Sequence, residues 1–207
     1  MIHRRHFLQC IAAATAAVSG CSSSAIRDGE LRSDRKRIIK VRDGLNYQIV
    51  SKAGDKMSDG LVVPGAHDGM AAFTGDNGQV ILVCNHELGP SRRDMSAFGT
   101  YRGSAFRDLP AEAYDAGKGR TPAPGGTTTT VWDPASGVTV RQHLSLSGTE
   151  INCAGGATPW GSWLSCEECF ENPGVRNDKR IKTTREKRHG YVFEVPASAE
   201  GPVQAQP

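Results

Sequence analysis

Apolar and polar positions alternate along this chain in short runs that end at turn-forming residues, and few stretches carry a long helical period. Residues 71–73 and 79–85 flank Thr74-Gly75-Asp76-Asn77-Gly78, and the Asn-Gly pair predicts a hairpin between them. The second arm contains Val80-Ile81-Leu82-Val83, a continuous apolar run expected of a strand buried on both faces. Residues 127–132 and 138–146 predict a second hairpin around Asp133-Pro134-Ala135-Ser136-Gly137. Further strands are expected at 47–50, 160–166 and 191–195. Residues 88–124 read as a long insertion with a short helix near 110–116, and 176–188 as a solvated basic loop. With 24 glycines among 207 residues, the pattern specifies an all-β fold.

The N-terminus follows a different pattern. Arg4-Arg5-His6-Phe7-Leu8-Gln9 reads as a twin-arginine export signal, followed by an Ala-rich run over 11–18 too short to span a bilayer. Val18-Ser19-Gly20-Cys21 reads as a lipoprotein cleavage site, the alternative being an ordinary signal peptide with an incidental Cys21. Diacylation of Cys21 would anchor the exported chain at the periplasmic face or cell surface, since two acyl chains hold where one is marginal. Residues 1–20 are thus expected to be a signal peptide, 21–45 a charged linker, and 46–207 the folded part.

Charge changes the picture little. Loss of residues 1–20 removes Arg4 and Arg5 and leaves 23 basic against 22 acidic residues, no footprint for nucleic acid. Of the six cysteines, Cys84, Cys153, Cys166 and Cys169 remain after Cys10 and Cys21 are set aside. Four can form two disulfides by any of three pairings. Cys166-Glu167-Glu168-Cys169 has the C-x-x-C spacing, but two acids between the thiols disfavour thiolates, unlike a redox motif.

The chemistry concentrates at 152–168, where a Gly/Pro-rich stretch delivers Trp160 and Trp163 and sets Cys166 beside Glu167 and Glu168. Burying that trio is costly unless the charges are paired or bind a cation. Carboxylates suit hard cations such as calcium, and a thiolate suits iron or zinc. The other reading is a core cysteine followed by two solvated glutamates. Strand alternation puts Trp160, Ser162, Leu164 and Cys166 on one face and Trp163 and Glu167 on the other, so Cys166 and Glu167 can share a metal only if the strand ends or twists there. Glu87 follows the buried run at 80–83, where a ligand would be preorganised by a rigid strand end. Asn85 and Asn152 can offer amide oxygens to calcium or cap turns. His86 is a ligand, a donor behind a ligand, or a satisfied core residue. Trp160 and Trp163 are expected to pack.

Asn152-Cys153-Ala154-Gly155-Gly156-Ala157-Thr158-Pro159-Trp160-Gly161-Ser162-Trp163-Leu164-Ser165-Cys166-Glu167-Glu168, followed by His189-Gly190-Tyr191-Val192-Phe193-Glu194-Val195, resembles the PhoX-type alkaline phosphatases. Asp68-Gly69-Met70, Asn85-His86-Glu87 and Gly125-Gly126-Thr127-Thr128 are similar to that family's upstream segments, in the same order. The resemblance implies a secreted β-propeller whose iron–calcium cluster hydrolyses phosphate esters, with Cys166 as an iron ligand and Glu87, Glu167 and Glu168 as carboxylate ligands. Cys169 departs from the family pattern. Blades of about 40–45 residues allow only three to four here, so the chain is expected to be the N-terminal part of a longer, truncated propeller. Two other functions compete: a non-catalytic exported lipoprotein propeller that binds a partner, and a zinc site built from Cys153, Cys166, Cys169 and His86.

Overall fold

The structure is a computed structural model that describes residues 31–34, 37–42, 44–99, 110–178 and 181–207. The export motif at Arg4-Arg5 and the acylation candidate Cys21 lie outside the described residues. The chain divides into two units, 1–47 and 48–207. In the first, strands β1 (Arg32–Ser33) and β2 (Lys40–Val41) form a small antiparallel pair where an irregular linker was expected. Asp34 closes its turn by accepting from the Ile38 amide and the Tyr47 hydroxyl.

The second unit is mostly β. Strands β3 (His67–Thr74), β4 (Val80–His86), β5 (Gly125–Asp133) and β6 (Val138–Thr149) form a four-stranded antiparallel sheet in chain order. The Asn-Gly turn forms as expected, with Asn77 at φ 53° and Gly78 at φ 79°, the left-handed region that this pair tolerates. Strands β7 (Asn152–Ala157), β8 (Ser162–Glu167) and β11 (Val192–Pro196) form a second sheet in the order β11-β8-β7. Strands β9 (Gly174–Asp178) and β10 (Ile181–Arg185) form a separate hairpin.

Four expectations are corrected. Residues 47–50 join no ladder; the Tyr47 hydroxyl donates to Asp34, the Gln48 side-chain amide donates to the Gly137 carbonyl, and the Val50 carbonyl accepts from the Thr139 hydroxyl. No helix forms at 110–116. A turn closes from the Ala113 amide to the Pro110 carbonyl, and the amides of Tyr114 and Asp115 then bond the carbonyls of Ser147 and Gly148 at the end of β6 in place of helical partners. The β9–β10 hairpin occupies much of the basic segment at 176–188 expected to be a loop, with Thr183 and Arg185 turned inward while Lys182 faces solvent. Strand β7 was not anticipated. Its Gly155 lies so close to the Trp163 ring and the Leu164 carbonyl that no Cβ fits there, so the glycines that hide the strand in sequence are what let it pack.

The two larger sheets share a core of Val83, Leu146, Trp163, Phe193 and Val195, while Met57, Val63, Phe98 and Leu144 form a second cluster. Much of the buried layer is polar. Thr127 bonds Ser145 at 2.8 Å, His86 bonds Thr128 at 2.9 Å, and the Gln142 amide donates to Thr130 at 2.9 Å. Phe193 has no solvent exposure, whereas Phe170 is 91% exposed. Phe193→Ala should therefore cost about 3–5 kcal/mol in urea unfolding, and Phe170→Ala about 0.5 kcal/mol or less. Equal midpoints for the two variants would contradict this core assignment.

Candidate metal centre

Antiparallel pairing brings the start of β3, the end of β4, the start of β7 and the end of β8 to one place. Backbone hydrogen bonds join the last three: the Ile151 amide donates to the Leu88 carbonyl at 3.1 Å, and the Glu168 amide to the Ile151 carbonyl at 2.8 Å. The Glu87 amide bonds the Ala66 carbonyl just before β3 at 2.9 Å. Gly69 lets β3 approach β7, since a Cβ there would sit 2.6 Å from the Cys153 carbonyl oxygen.

The thiol that meets carboxylates here is Cys153. Its pKa is raised above the ordinary range by burial first, then by the charge of Asp68, a hydrogen bond to the Glu168 carboxylate, and the charges of Glu168 and Glu87. Asp68 and Glu168 are exposed, while Glu87 and Cys153 are half-buried. The charges of Asp68, Glu168 and Glu87 therefore act on the Cys153 thiol at strand ends that face solvent, whereas the group whose ligand atoms lie within 4.8 Å of one another among the described residues is Glu150, Cys169 and His189. Cys166 stands cross-strand from Val192, across from the bulge where Cys153 and Ala154 interrupt the β7–β8 register. Alternation holds through the end of β8, so Cys166 and Glu167 lie on opposite faces.

Glu167 and Glu168 have opposite surroundings. The buried Glu167 carboxylate accepts from the Glu150, Gly190 and Tyr191 amides at 2.8, 2.6 and 3.2 Å and from His189 Nδ1 at 2.7 Å. Those donors use its oxygens, and Glu87 and Glu168 remain as the carboxylates open to a ligand. Asn85 is fully buried: its amide nitrogen donates to the carbonyls of Cys153 and Ala154, and its oxygen accepts from Trp163 Nε1 and Ser165 Oγ. Asn152 bonds Thr149 and Ser165. Neither amide caps a turn by its side chain or points an idle oxygen at a cation. His86 is a satisfied core residue, bonded to the Gly65 carbonyl and Thr128, and burial lowers its pKa to about 4. Trp163 packs in the core as expected, but Trp160 is 71% exposed and donates to Glu194.

Sequence reading missed a buried ionic network behind these strand ends. His189 lies between Glu167 and Asp115, 3.2 Å from the latter, and Arg185 Nε bonds Glu150 at 2.7 Å. Burial opposes the charge on His189, but its bonds to Asp115 and Glu167 and the field of Glu167 and Glu150 raise its pKa to about 9. Asp115 also accepts from the amides of Gly117, Glu186 and Lys187. Glu150, Cys169 and His189 place one ligand atom each within 4.8 Å of one another, a group that could hold a metal. The donor chemistry there is already committed. Both His189 nitrogens carry protons into hydrogen bonds, Glu150 holds Arg185, and burial and the Glu167 and Glu150 charges push the Cys169 thiol up to about 12. A cation entering there would have to displace two buried positive groups.

The described residues define a mostly β protein of antiparallel sheets with a thiol and acids at neighbouring strand ends. The chain matches the family described as Alkaline phosphatase PhoX over residues 26–136 and 122–207, and it belongs to that family. No curated protein and no solved structure matches it.

The raised pKa of His189 carries a sign for stability. Its contribution is complete below the unfolded value near 6.5 and is lost as pH rises through about 9. Thermal melts of the wild type should fall over that window by an amount equivalent to roughly 3 kcal/mol, and His189→Gln should flatten the slope. An unchanged slope in the variant would show that His189 is not the titrating group.

Proposed function

We propose that this protein is an exported, metal-dependent hydrolase of phosphate esters, and that Cys153, Glu87, Glu168 and Asp68 hold its metal. The observation that supports this reading is that strand ends joined by backbone hydrogen bonds carry Cys153, Glu87, Glu168 and Asp68, with the charges of the three acids acting on the thiol. Such a set is repulsive when empty, and a cation offsets it. The donors fit the iron and calcium implied by family membership: a thiolate with carboxylates for iron, and carboxylate oxygens for calcium. Bound there, the metals would supply Lewis-acid polarisation of the phosphoryl oxygens. The chain's own contribution is to hold the ligands at the ends of hydrogen-bonded strands and keep Glu168 turned outward while Glu167 is locked inward. We read the sequential four-stranded sheet and the sheet packed on it as blades of a β-propeller, with the ligands at their strand ends.

Cys153→Ala and Glu168→Gln should each lower bound iron and calcium and reduce p-nitrophenyl phosphate hydrolysis tenfold or more, on the order expected for a lost metal ligand. Cys166→Ala tests the alternative thiol and should retain most of both. Retention of metal and rate in Cys153→Ala would overturn this site and favour the non-catalytic binding propeller.

Export by the twin-arginine route and lipidation at Cys21 complete the proposal, supported by Arg4-Arg5 and Val18-Ser19-Gly20-Cys21. Replacing Arg4-Arg5 with Lys-Lys should leave the precursor in the cytoplasm, and Cys21→Ala should release the exported chain from membranes. Fractionation and immunoblotting measure both. Normal export of the Lys-Lys form would exclude the twin-arginine route.

A further inference from the structure

We infer that Asn85 is the positioning residue of the Cys153 thiol: it fixes the β7 bulge to the strand that carries Glu87. The inference rests on the reading of Cys153, Glu87 and Glu168 as metal ligands. At the bulge the ladder between β7 and β8 is interrupted, with Asn152 opposite Glu167 and the next register pair at Gly155 and Ser165. The carbonyls of Cys153 and Ala154 instead accept from one donor group, the Asn85 amide nitrogen, at 2.8 and 3.0 Å. The same amide is aimed from its other end. Its oxygen accepts from Trp163 Nε1 at 2.8 Å and Ser165 Oγ at 2.7 Å, so its hydrogen-bonding capacity is filled and its orientation set.

Ser165 extends the support to the other flank of Cys153, because its hydroxyl also accepts from Asn152 Nδ2 at 2.9 Å, and Asn152 in turn accepts from Thr149. Asn85, Ser165 and Asn152 are all fully buried. From the opposite side, Gly69 leaves room for the Cys153 carbonyl, whose oxygen would lie 2.6 Å from a Cβ at that position. The backbone on both sides of the thiol is thus tied to β4 and β8, the strands that lead to Glu87 and Glu168. Only an amide can do this. A carboxylate would keep the acceptor side but face two carbonyl oxygens with none of the donors they need.

Cobalt(II) alone, titrated into the full chain, reports the geometry through the near-ultraviolet thiolate-to-cobalt charge-transfer band. Cys153→Ser should abolish the band. Asn85→Ser should weaken cobalt binding about tenfold or more and diminish the band, the range seen when a residue that orients a ligand is lost. Thr127→Val, which removes the buried bond to Ser145 in the same core, serves as the stability-matched control and should stay within about twofold of wild type. A band and affinity equal to wild type in Asn85→Ser would overturn the inference. Should Asn85→Ser fail to fold, Ser165→Ala decides: about a twofold or greater loss supports the positioning role, and no loss overturns it. Persistence of the band in Cys153→Ser would instead remove the metal-site reading, and the inference with it.

Discussion

The carboxylate of Glu167 takes four hydrogen bonds in a space closed to water, and much of the second unit is arranged to provide them. A buried carboxylate is tolerated only with partners of this number and kind. They come from separate parts of the chain: the turn after β6 gives the Glu150 amide, and the approach to β11 gives His189, Gly190 and Tyr191. His189 then requires a second acceptor, which Asp115 supplies, and Glu150 requires Arg185. Three acids and two cations are thereby tied together, with backbone amides also donating to Glu167 and Asp115. Removing one member would leave the others charged and unpaired, the circumstance in which a buried ion pair matters most.

This network explains how two adjacent glutamates acquire different roles. Glu167 ends β8 on the inner face, where its charge is spent on folding. Glu168 begins the turn, its amide held by the Ile151 carbonyl, and its exposed carboxylate raises the pKa of the Cys153 thiol. The rigidity of the first sets the direction of the second. Because the Leu88 carbonyl, one residue after Glu87, accepts from the Ile151 amide, the same few backbone bonds hold together the strand ends that carry Glu87, Cys153 and Glu168. Held by strand ends in this way, the proposed ligands would lose little conformational freedom on binding a cation.

What could be read from the sequence was local. The hairpins β3–β4 and β5–β6 follow from Asn77-Gly78, from Asp133 to Gly137, and from apolar runs between them, all within reach of neighbouring residues. Glu87 and Glu168 also stand out in the sequence, as acids at the ends of such runs. The thiol of the proposed site does not. Adjacency suggests Cys166, but a strand turns neighbours to opposite faces, and the thiol we propose comes from the adjacent strand. That strand, Asn152–Ala157, has no apolar alternation to announce it, because Gly155 must admit the Trp163 ring. The ionic network was hidden for a related reason: Asp115, Glu150, Arg185 and His189 lie in segments that resemble solvated loops until the pairing is known. The Gly-Gly pair after Cys153 was the available signal, since glycines in a strand mark close approach or a bulge.

The layer between the sheets is less apolar than stability alone would favour. Asn85, Asn152, Ser165, Thr127 and Ser145 occupy positions where aliphatic side chains would bury more surface and leave no polar atom to satisfy. Their hydrogen bonds return roughly 1 kcal/mol each, so this composition is not explained by the strength of the fold. It is explained by direction. An aliphatic core permits small slips between packed sheets, whereas Asn85, bonded on both sides, tolerates only one placement of β7 against β4 and β8. The glycine-rich β7 needs that restraint, since its own side chains offer little to hold it. Specificity of register, rather than strength of packing, is what a thiol must have to meet carboxylates carried by two other strands.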